Sequence, residues 1–183
     1  MGCREVGAQA LAEQLLSSAD NLTDRLAALR LLVHRAGGDV AQRALDGFYD
    51  RWQGEALVVN QWFTLQALTP GDEAVDRVKA LLEHPAFDWR NPNKVRAVVG
   101  AFANANPSGF HRADGAGYAL LTDAIIRLQS ANPQIASRLC TPLSRFRRYS
   151  HGAEQMRAAL EQIAETSDLS KDVYEVVQRS LKG

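Results

Sequence analysis

Histidine is the side chain in this sequence best suited to bind a metal ion. The four histidines, His34, His84, His111 and His151, lie far apart along the chain, and none belongs to a recognised zinc motif. A helical zinc site of the H-E-x-x-H type needs two imidazoles at positions i and i+4 and a glutamate that activates water. The sequence contains no such run. We therefore predict that the histidines are surface or helix-capping residues, and we assign no metal ligand.

The remaining candidates for catalysis are equally isolated. Cys3 and Cys140 form no C-x-x-C pair, and Cys140 is typical of a small buried apolar residue. No G-x-S-x-G nucleophile elbow is present, and Gly115 and Gly117 read as a turn because no strand precedes them and no Lys-Ser pair follows. The sequence therefore predicts no catalytic residue and no cofactor site.

A short run of arginines superficially resembles an RNA-contact patch. Arg145, Arg147 and Arg148 alternate with Phe146 and Tyr149. The run is brief, and cations of this kind more commonly complement the negative end of a helix. We therefore predict a helix-end contact and no nucleic-acid partner.

The net charge is zero, with 21 basic and 21 acidic residues, but the charges are unevenly distributed. Residues 91–153 contain eight basic and two acidic side chains. Such an excess can hold an anionic group, or it can pack against an acidic surface of the same molecule or of a partner. Both alternatives remain open at this level.

The composition is that of a soluble globular protein. Of 183 residues, 46% are hydrophobic and 23% are charged. No run of about eighteen apolar residues predicts a membrane span, and the first residues are too polar for a secretory signal. Together with the sparse cysteines, these features predict a cytoplasmic location, and the lack of a Pro-, Gly- or Ser-rich linker predicts a single domain over residues 1–183.

Apolar spacing predicts helices almost throughout and no strand. Asp20 or Asn21 is expected to cap the second helix, Gly37-Gly38 to end it, and Asn91-Pro92 and Asn132-Pro133 to start two later helices. Pro142 is expected to kink or split the helix that begins at Pro133. Ser170 is expected to cap the last helix. Trp52 and Trp62 are expected to lie in the core.

About ten helices joined by short turns follow from this pattern. Successive antiparallel helix pairs either stack into an armadillo or HEAT type solenoid or close into an irregular bundle. We predict an all-α, superhelical array of the armadillo/HEAT type, although no strict sequence period is visible.

A succession of motifs between residues 84 and 149 is more specific. It includes H-P-A-F at 84–87, N-P-N-K-V-R at 91–96, N-P-S-G-F-H at 106–111, D-G-A-G-Y at 114–118 and N-P-Q-I-A-S-R-L at 132–139. This order closely resembles the C-terminal helical domain of bacterial aminopeptidase N, a zinc metallopeptidase. Further similar segments, among them Y-D-R-W at 49–52 and M-R-A-A-L-E at 156–161, extend the resemblance over nearly the whole chain.

The resemblance implies a fragment of an exopeptidase that is inactive by itself. In that family the zinc ligands, the general-base glutamate and the G-A-M-E-N segment lie in an upstream catalytic domain, and none of these motifs occurs here. The helical domain is then a cap that encloses the active-site cavity, admits peptides and excludes folded proteins. Its expected partners are the N-terminal and catalytic domains of the same polypeptide and a peptide substrate, and zinc is expected only in the full-length enzyme.

The resemblance also implies two residues that contact substrate. By their positions in matching motifs these are Arg96, with Lys94 as a neighbouring alternative, and Arg138. A guanidinium can hold a peptide carboxylate or carbonyl through forked hydrogen bonds. The alternative function is an independent armadillo-like adaptor that binds a peptide or protein, and the presence of H-E-x-x-H and G-A-M-E-N upstream in the natural reading frame would decide against it.

Overall fold

The computed structural model describes residues 2–183, with side chains described from residue 7 onward. Helices dominate this part of the chain and no strand occurs in it, which confirms the predicted all-α class. None of the described helices is long and apolar enough to cross a membrane. The α-helical segments are α1 Gly2–Ser18, α2 Leu22–Leu31, α3 Gly38–Trp52, α4 Ala56–Ala67, α5 Ala74–Leu82, α6 Pro92–Val95, α7 Ala101–Ala105, α8 Pro107–Phe110, α9 Ala116–Leu128, α10 Pro133–Leu139, α11 Thr141–Ser144, α12 Ala153–Ala164 and α13 Lys171–Lys182.

Asparagine side chains start four of these helices. Asn21 caps α2 by accepting a hydrogen bond from the Asp24 amide, and Asn91 and Asn132 cap α6 and α10 in the predicted way. Asn106 adds a fourth cap, at α8, which the sequence analysis did not identify. In α6, α8 and α10 a proline follows the asparagine, where its missing N–H costs no helical hydrogen bond. The repeated Asn-Pro pair is thus a helix-start signal.

Several predicted helices are interrupted, so the segments are more numerous than the ten expected. A π-helical turn, Leu32–Ala36, extends α2 up to Gly37, whose positive φ of 67° ends the helix as predicted. A second π-helical turn, Arg96–Gly100, joins α6 to α7. Pro142 lies in α11, which is separated from α10 at Cys140. The predicted split of that helix is therefore confirmed, whereas the π-helical turns were not predicted.

The chain divides into two compact units, the first ending at Thr69 and the second running from Pro70 to Gly183. In the first unit α1 packs against α2, and α3 packs against α4. Trp62 and Phe63 of α4 are buried there, and the Trp62 indole N–H donates to the carbonyl oxygen of Leu45 at 3.1 Å. This hydrogen bond ties α4 to α3 within the core.

In the second unit α9 is the central helix. It packs against α5, α8, α10 and α12, while α13 packs against α10 and α12. The apolar side chains that fill this core are fully or almost fully buried: Val78, Val98, Phe102, Phe110, Leu121, Ile125, Leu128, Leu143, Met156, Leu160, Ile163, Val173 and Val177. Burial of a full aliphatic or aromatic side chain stabilises a fold by about 1.5–3 kcal/mol, so this core holds the second unit together.

Two individual predictions were wrong in detail. Ser170 occupies the N-cap position of α13, but its side chain accepts no capping hydrogen bond, and its hydroxyl oxygen is buried without a partner. Its backbone amide instead donates to the side-chain oxygen of Gln129 at 2.7 Å. Trp52 is only half-buried, because it lies at the end of α3 with the Arg51 guanidinium over its ring. Trp62 is in the core, as predicted.

The start of α9 approaches the end of α8 so closely that only glycine fits. A Cβ atom on Gly117 would lie 2.3 Å from the carbonyl oxygen of Phe110 and 2.7 Å from its Cα. Because these are backbone atoms, a rotamer change cannot relieve the overlap. The glycine therefore sets the distance between α8 and α9.

We expect Gly117→Ala to destabilise the protein by about 1–3 kcal/mol, the usual cost of overpacking a filled site. The matched control is Gly47→Ala in the interior of α3, where a Cβ would meet nothing within 4 Å. That control should be neutral or stabilising by up to about 1 kcal/mol, since alanine is the better helix former. Urea unfolding curves would measure both values, and equal effects would contradict the close-approach argument.

Cys140 is fully buried between α10 and α11, and its thiol lies 3.4 Å from the carbonyl oxygen of Ala136. Burial raises the pKa of this thiol to about 12, because the apolar surroundings disfavour the thiolate. The prediction of a small buried apolar residue is thus confirmed for Cys140, whereas the Cys3 side chain lies outside the described residues. The thiolate is the reactive form, so Cys140 is chemically inert in the folded protein.

We expect iodoacetamide at pH 8 to leave Cys140 unmodified in the folded protein and to alkylate it rapidly in urea. Peptide mapping by mass spectrometry separates Cys140 from Cys3, which removes the need for a cysteine variant. Alkylation of Cys140 at similar rates in buffer and in urea would show that the thiol is accessible in the native state.

Candidate functional site

Arg138 is an exposed cation on a well-anchored helix. It lies in the last turn of α10, whose opposite face buries Ile135, Ala136 and Leu139. The Asn132 cap and the packing of α10 against α9 and α13 fix the position of its backbone. Within the described part of the chain, the guanidinium has no hydrogen bond or ion pair. The side chain is therefore free to bind an oxygen atom from another molecule.

Arg96 is also exposed but has a local partner. It begins the π-helical turn Arg96–Gly100, and its Nη1 donates to the side-chain oxygen of Asn93 at 2.9 Å. The neighbouring Lys94 is half-buried, and its ammonium group donates to the carbonyl oxygen of Ala86. Of the two cations considered at this motif, Arg96 is therefore the one that faces solvent.

The two arginines lie on different helical segments of the second unit. The π-helical turn that contains Arg96 packs against α5, whereas α10, which contains Arg138, packs against α9 and α13. The two segments are not among the closely packed pairs of helices. Arg96 and Arg138 are thus two exposed cations whose backbones are held by different helices.

Most of the other cations between residues 91 and 153 are engaged inside the molecule. Arg112 forms an ion pair with Asp114 at 2.5 Å, and Arg127 stacks over the Trp89 ring at 4.4 Å from its centroid. Arg147 donates to the carbonyl oxygens of Ser180 and Leu181, at 2.8 and 3.1 Å, in the last turn of α13. The predicted contact with the negative end of a helix is therefore confirmed for Arg147.

Three of the four histidines make internal hydrogen bonds. His34 pairs with the carbonyl oxygen of Leu65, His84 accepts from the Ala86 amide, and His111 pairs with the Tyr118 hydroxyl at 2.8 Å. His151 is exposed. Burial lowers the pKa values of His84 and His111, which disfavours their charged forms. The predicted surface role thus holds for His151, whereas His34 and His111 are part-buried and bond to groups distant in sequence instead of capping a helix.

No group of three or more histidine, cysteine, aspartate or glutamate side chains able to hold a metal ion occurs among the described residues. The side-chain chemistry of this part of the chain therefore does not fit a zinc site.

One arrangement was missed by the sequence analysis. His111 and His151 are forty positions apart, yet both line one cleft in the second unit, together with Glu154. No local spacing signals this arrangement, because the two segments meet through the packing of α8 and α12 against α9.

The chain is similar to proteins of known classification along almost its whole length. The sequence model of the family described as "Domain of unknown function (DUF3458_C) ARM repeats" matches residues 3–182. Armadillo repeats are the class of helical array that the sequence pattern predicted. The chain is 41% identical over 175 residues to aminopeptidase N of Escherichia coli, a match that covers 95% of this chain and 20% of that protein.

Two other bacterial relatives give the same result. Aminopeptidase N of Haemophilus influenzae is 40% identical over 173 residues, covering 94% of this chain and 20% of the relative. For aminopeptidase N of Caulobacter vibrioides the identity is 42% over 165 residues, with coverages of 90% and 19%. The chain thus spans about a fifth of the length of the curated relatives it matches.

A solved structure extends the similarity to the fold. The crystal structure of Legionella pneumophila aminopeptidase A in complex with aspartic acid matches with a TM-score of 0.92 and 31% identity, over 98% of this chain and 21% of that one. This chain corresponds to the C-terminal helical domain of bacterial aminopeptidase N. The match over residues 3–182 shows that the chain belongs to the DUF3458_C family of armadillo-repeat domains.

Proposed function

We propose that this chain is the helical cap of a cytoplasmic, zinc-dependent aminopeptidase that removes N-terminal residues from peptides. The similarity to three aminopeptidases N over 90–95% of the chain supports this function. The cap encloses the active-site cavity, admits peptides and excludes folded proteins. Enclosure also removes bulk water, which strengthens electrostatic contacts to the bound substrate.

The zinc ion belongs to the part of the enzyme outside this chain. The described residues provide no cluster of ligands for it, so we assign the zinc ligands and the catalytic base to the remaining four fifths of the polypeptide. This chain then contributes binding and access, and it performs no step at the metal.

The observation that carries the proposal is the state of Arg138. Its guanidinium is exposed and has no partner among the described residues, yet α10 holds its backbone firmly. A preorganised guanidinium can hold the carboxylate or a carbonyl oxygen of a peptide with two parallel hydrogen bonds. We assign Arg138 to the part of the substrate beyond the scissile bond.

Arg96 serves as a second substrate contact. Its hydrogen bond to Asn93 orients the guanidinium without neutralising its charge, because an amide oxygen carries no net charge. π-Helical turns are rare in proteins overall, and those that occur are often found at functional sites. This supports a functional role for the turn that Arg96 begins. Lys94, in contrast, stabilises its own loop through Ala86.

Exposed leucines in the first unit support the other domains of the same polypeptide as partners. Leu11, Leu31 and Leu57 are 66, 53 and 74% exposed. Exposed apolar side chains of this size can be covered by another domain of the same polypeptide. The independent adaptor remains the alternative function, and no feature of the described residues favours it.

We expect the isolated chain to release no amino acid from alanyl or leucyl amides and to retain no stoichiometric zinc after dialysis. The reason is the lack of a ligand cluster among the described residues. Amidase assays and elemental analysis measure the two quantities. Bound zinc at one equivalent, with activity that chelation abolishes, would contradict the assignment of the metal to another part of the enzyme.

We expect Arg138→Ala in the full-length enzyme to lower kcat/KM for a tripeptide by roughly ten- to a hundredfold. This corresponds to the loss of a charge-assisted hydrogen bond of about 1.5–3 kcal/mol. Turnover of a single-residue chromogenic amide should fall much less, because its leaving group has no peptide carbonyl or carboxylate for the guanidinium to bind. Arg138→Lys should recover part of the loss, since lysine keeps the charge but not the fork.

The two substrates control for general damage, because misfolding of the cap would reduce both rates together. Arg30→Ala is a matched control variant, since Arg30 is also exposed and partnerless among the described residues but lies on α2 of the first unit. If the wild type and Arg138→Ala had equal kcat/KM for the tripeptide, Arg138 would be a surface residue without a substrate contact.

A further inference from the structure

A cleft of about 510 Å³ opens between two segments of the second unit. One wall is formed by His111, Arg112 and Ala113, which follow α8, and the other by residues 150–155, which lead into α12. This volume is within the usual range for small-molecule sites, about 300–1,000 Å³. Neither wall contains Arg96 or Arg138, so the cleft is separate from the substrate contacts proposed above.

The walls are held in place by contacts between the two segments. The Gln155 side-chain amide donates to the carbonyl oxygen of Ala113 at 3.0 Å. The His111 ring lies 4.5 Å from the Tyr149 ring, centroid to centroid, and its Nδ1 is 2.8 Å from the buried Tyr118 hydroxyl. The cleft is therefore preformed, so ligand binding would lose little free energy to the ordering of its walls.

The cleft presents hydrogen-bond donors on both walls. Burial keeps Tyr118 protonated by raising its pKa, and a phenol is a better donor than a neutral imidazole, so we assign its hydroxyl as the donor to His111 Nδ1. The ring hydrogen of His111 then lies on Nε2, which has no partner among the described residues. The exposed imidazole of His151 and the exposed hydroxyl of Ser150 lie on the opposite wall.

The charge of the cleft depends on Arg112 and Glu154, the charged residues in its two walls. Arg112 is fully engaged, because it contacts the Asp114 carboxylate through Nε and Nη2 and the carbonyl oxygen of Asp72 through Nη1. Its charge is therefore balanced by Asp114. The Glu154 carboxylate is exposed and has no partner among the described residues. The cleft thus combines the hydrogen-bond donors of both walls with one unbalanced negative charge, that of Glu154.

We propose that this cleft binds a free α-amino acid in its zwitterionic form. The α-carboxylate accepts hydrogen bonds from His111, His151 and Ser150, and the α-ammonium group pairs with Glu154. A simple anion would be repelled by the Glu154 carboxylate, and a simple cation would leave the donors of the walls unused. The proposal does not rest on the peptidase function, since it concerns only side chains of this chain.

The test is a titration of the 183-residue chain with L-alanine, followed through the imidazole signals of His111 and His151 by NMR spectroscopy. We expect both signals to shift and to saturate. L-alaninamide lacks the carboxylate and N-acetyl-L-alanine lacks the ammonium group, so neither should give saturable shifts at the same concentrations. Glu154→Gln should weaken alanine binding about two- to fivefold, the effect of losing an exposed ion pair.

The matched control is Glu165→Gln, which removes the same charge at the other end of α12, outside the cleft. It should leave alanine binding unchanged. No saturable shift with alanine would overturn the proposal. Equal binding of N-acetyl-L-alanine would overturn the zwitterion assignment, and equal weakening by both glutamine variants would show a long-range charge effect instead of a contact.

Discussion

The second unit depends on the backbone contact between α8 and the start of α9. Gly117 allows this approach, because any Cβ there would overlap the Phe110 backbone. From this contact α9 runs through the core, where it packs against α5, α10 and α12. The same approach brings the Tyr118 hydroxyl to His111, so one glycine positions both the central helix and a wall of the cleft.

A further tight contact fixes the opposite wall. A Cβ on Gly152 would lie 2.3 Å from the Tyr118 hydroxyl oxygen, and Gly152 has a positive φ of 77°. Glycine is the residue that adopts this conformation at little cost and leaves room for the tyrosine. The chain can therefore enter α12 directly over Tyr118. Three segments of the second unit thus pack together at Tyr118, which contacts both His111 and Gly152.

Although basic and acidic residues are equal in number, one part of the chain has a large excess of basic ones. Between residues 91 and 153 the chain has eight basic and two acidic side chains. The structure engages Arg112 with Asp114, Arg127 with Trp89 and Arg147 with the end of α13. Cations bound in this way stabilise the fold and are not available to a ligand. Arg96 and Arg138 differ because, among the described residues, neither guanidinium contacts an acidic side chain, an aromatic ring or a helix end, and Arg96 bonds only to the uncharged Asn93.

The sequence by itself determined the all-α class, several helix boundaries and the family. Asn-Pro pairs, Gly37 and Pro142 act through local backbone sterics and capping, which neighbouring residues decide. Only the tertiary structure decided the π-helical turn at Arg96, the missing hydrogen bond at Ser170 and the partial exposure of Trp52. It also decided that His111, His151 and Glu154 share a cleft. Those outcomes depend on packing between helices distant in sequence, and local spacing carries no information about such contacts.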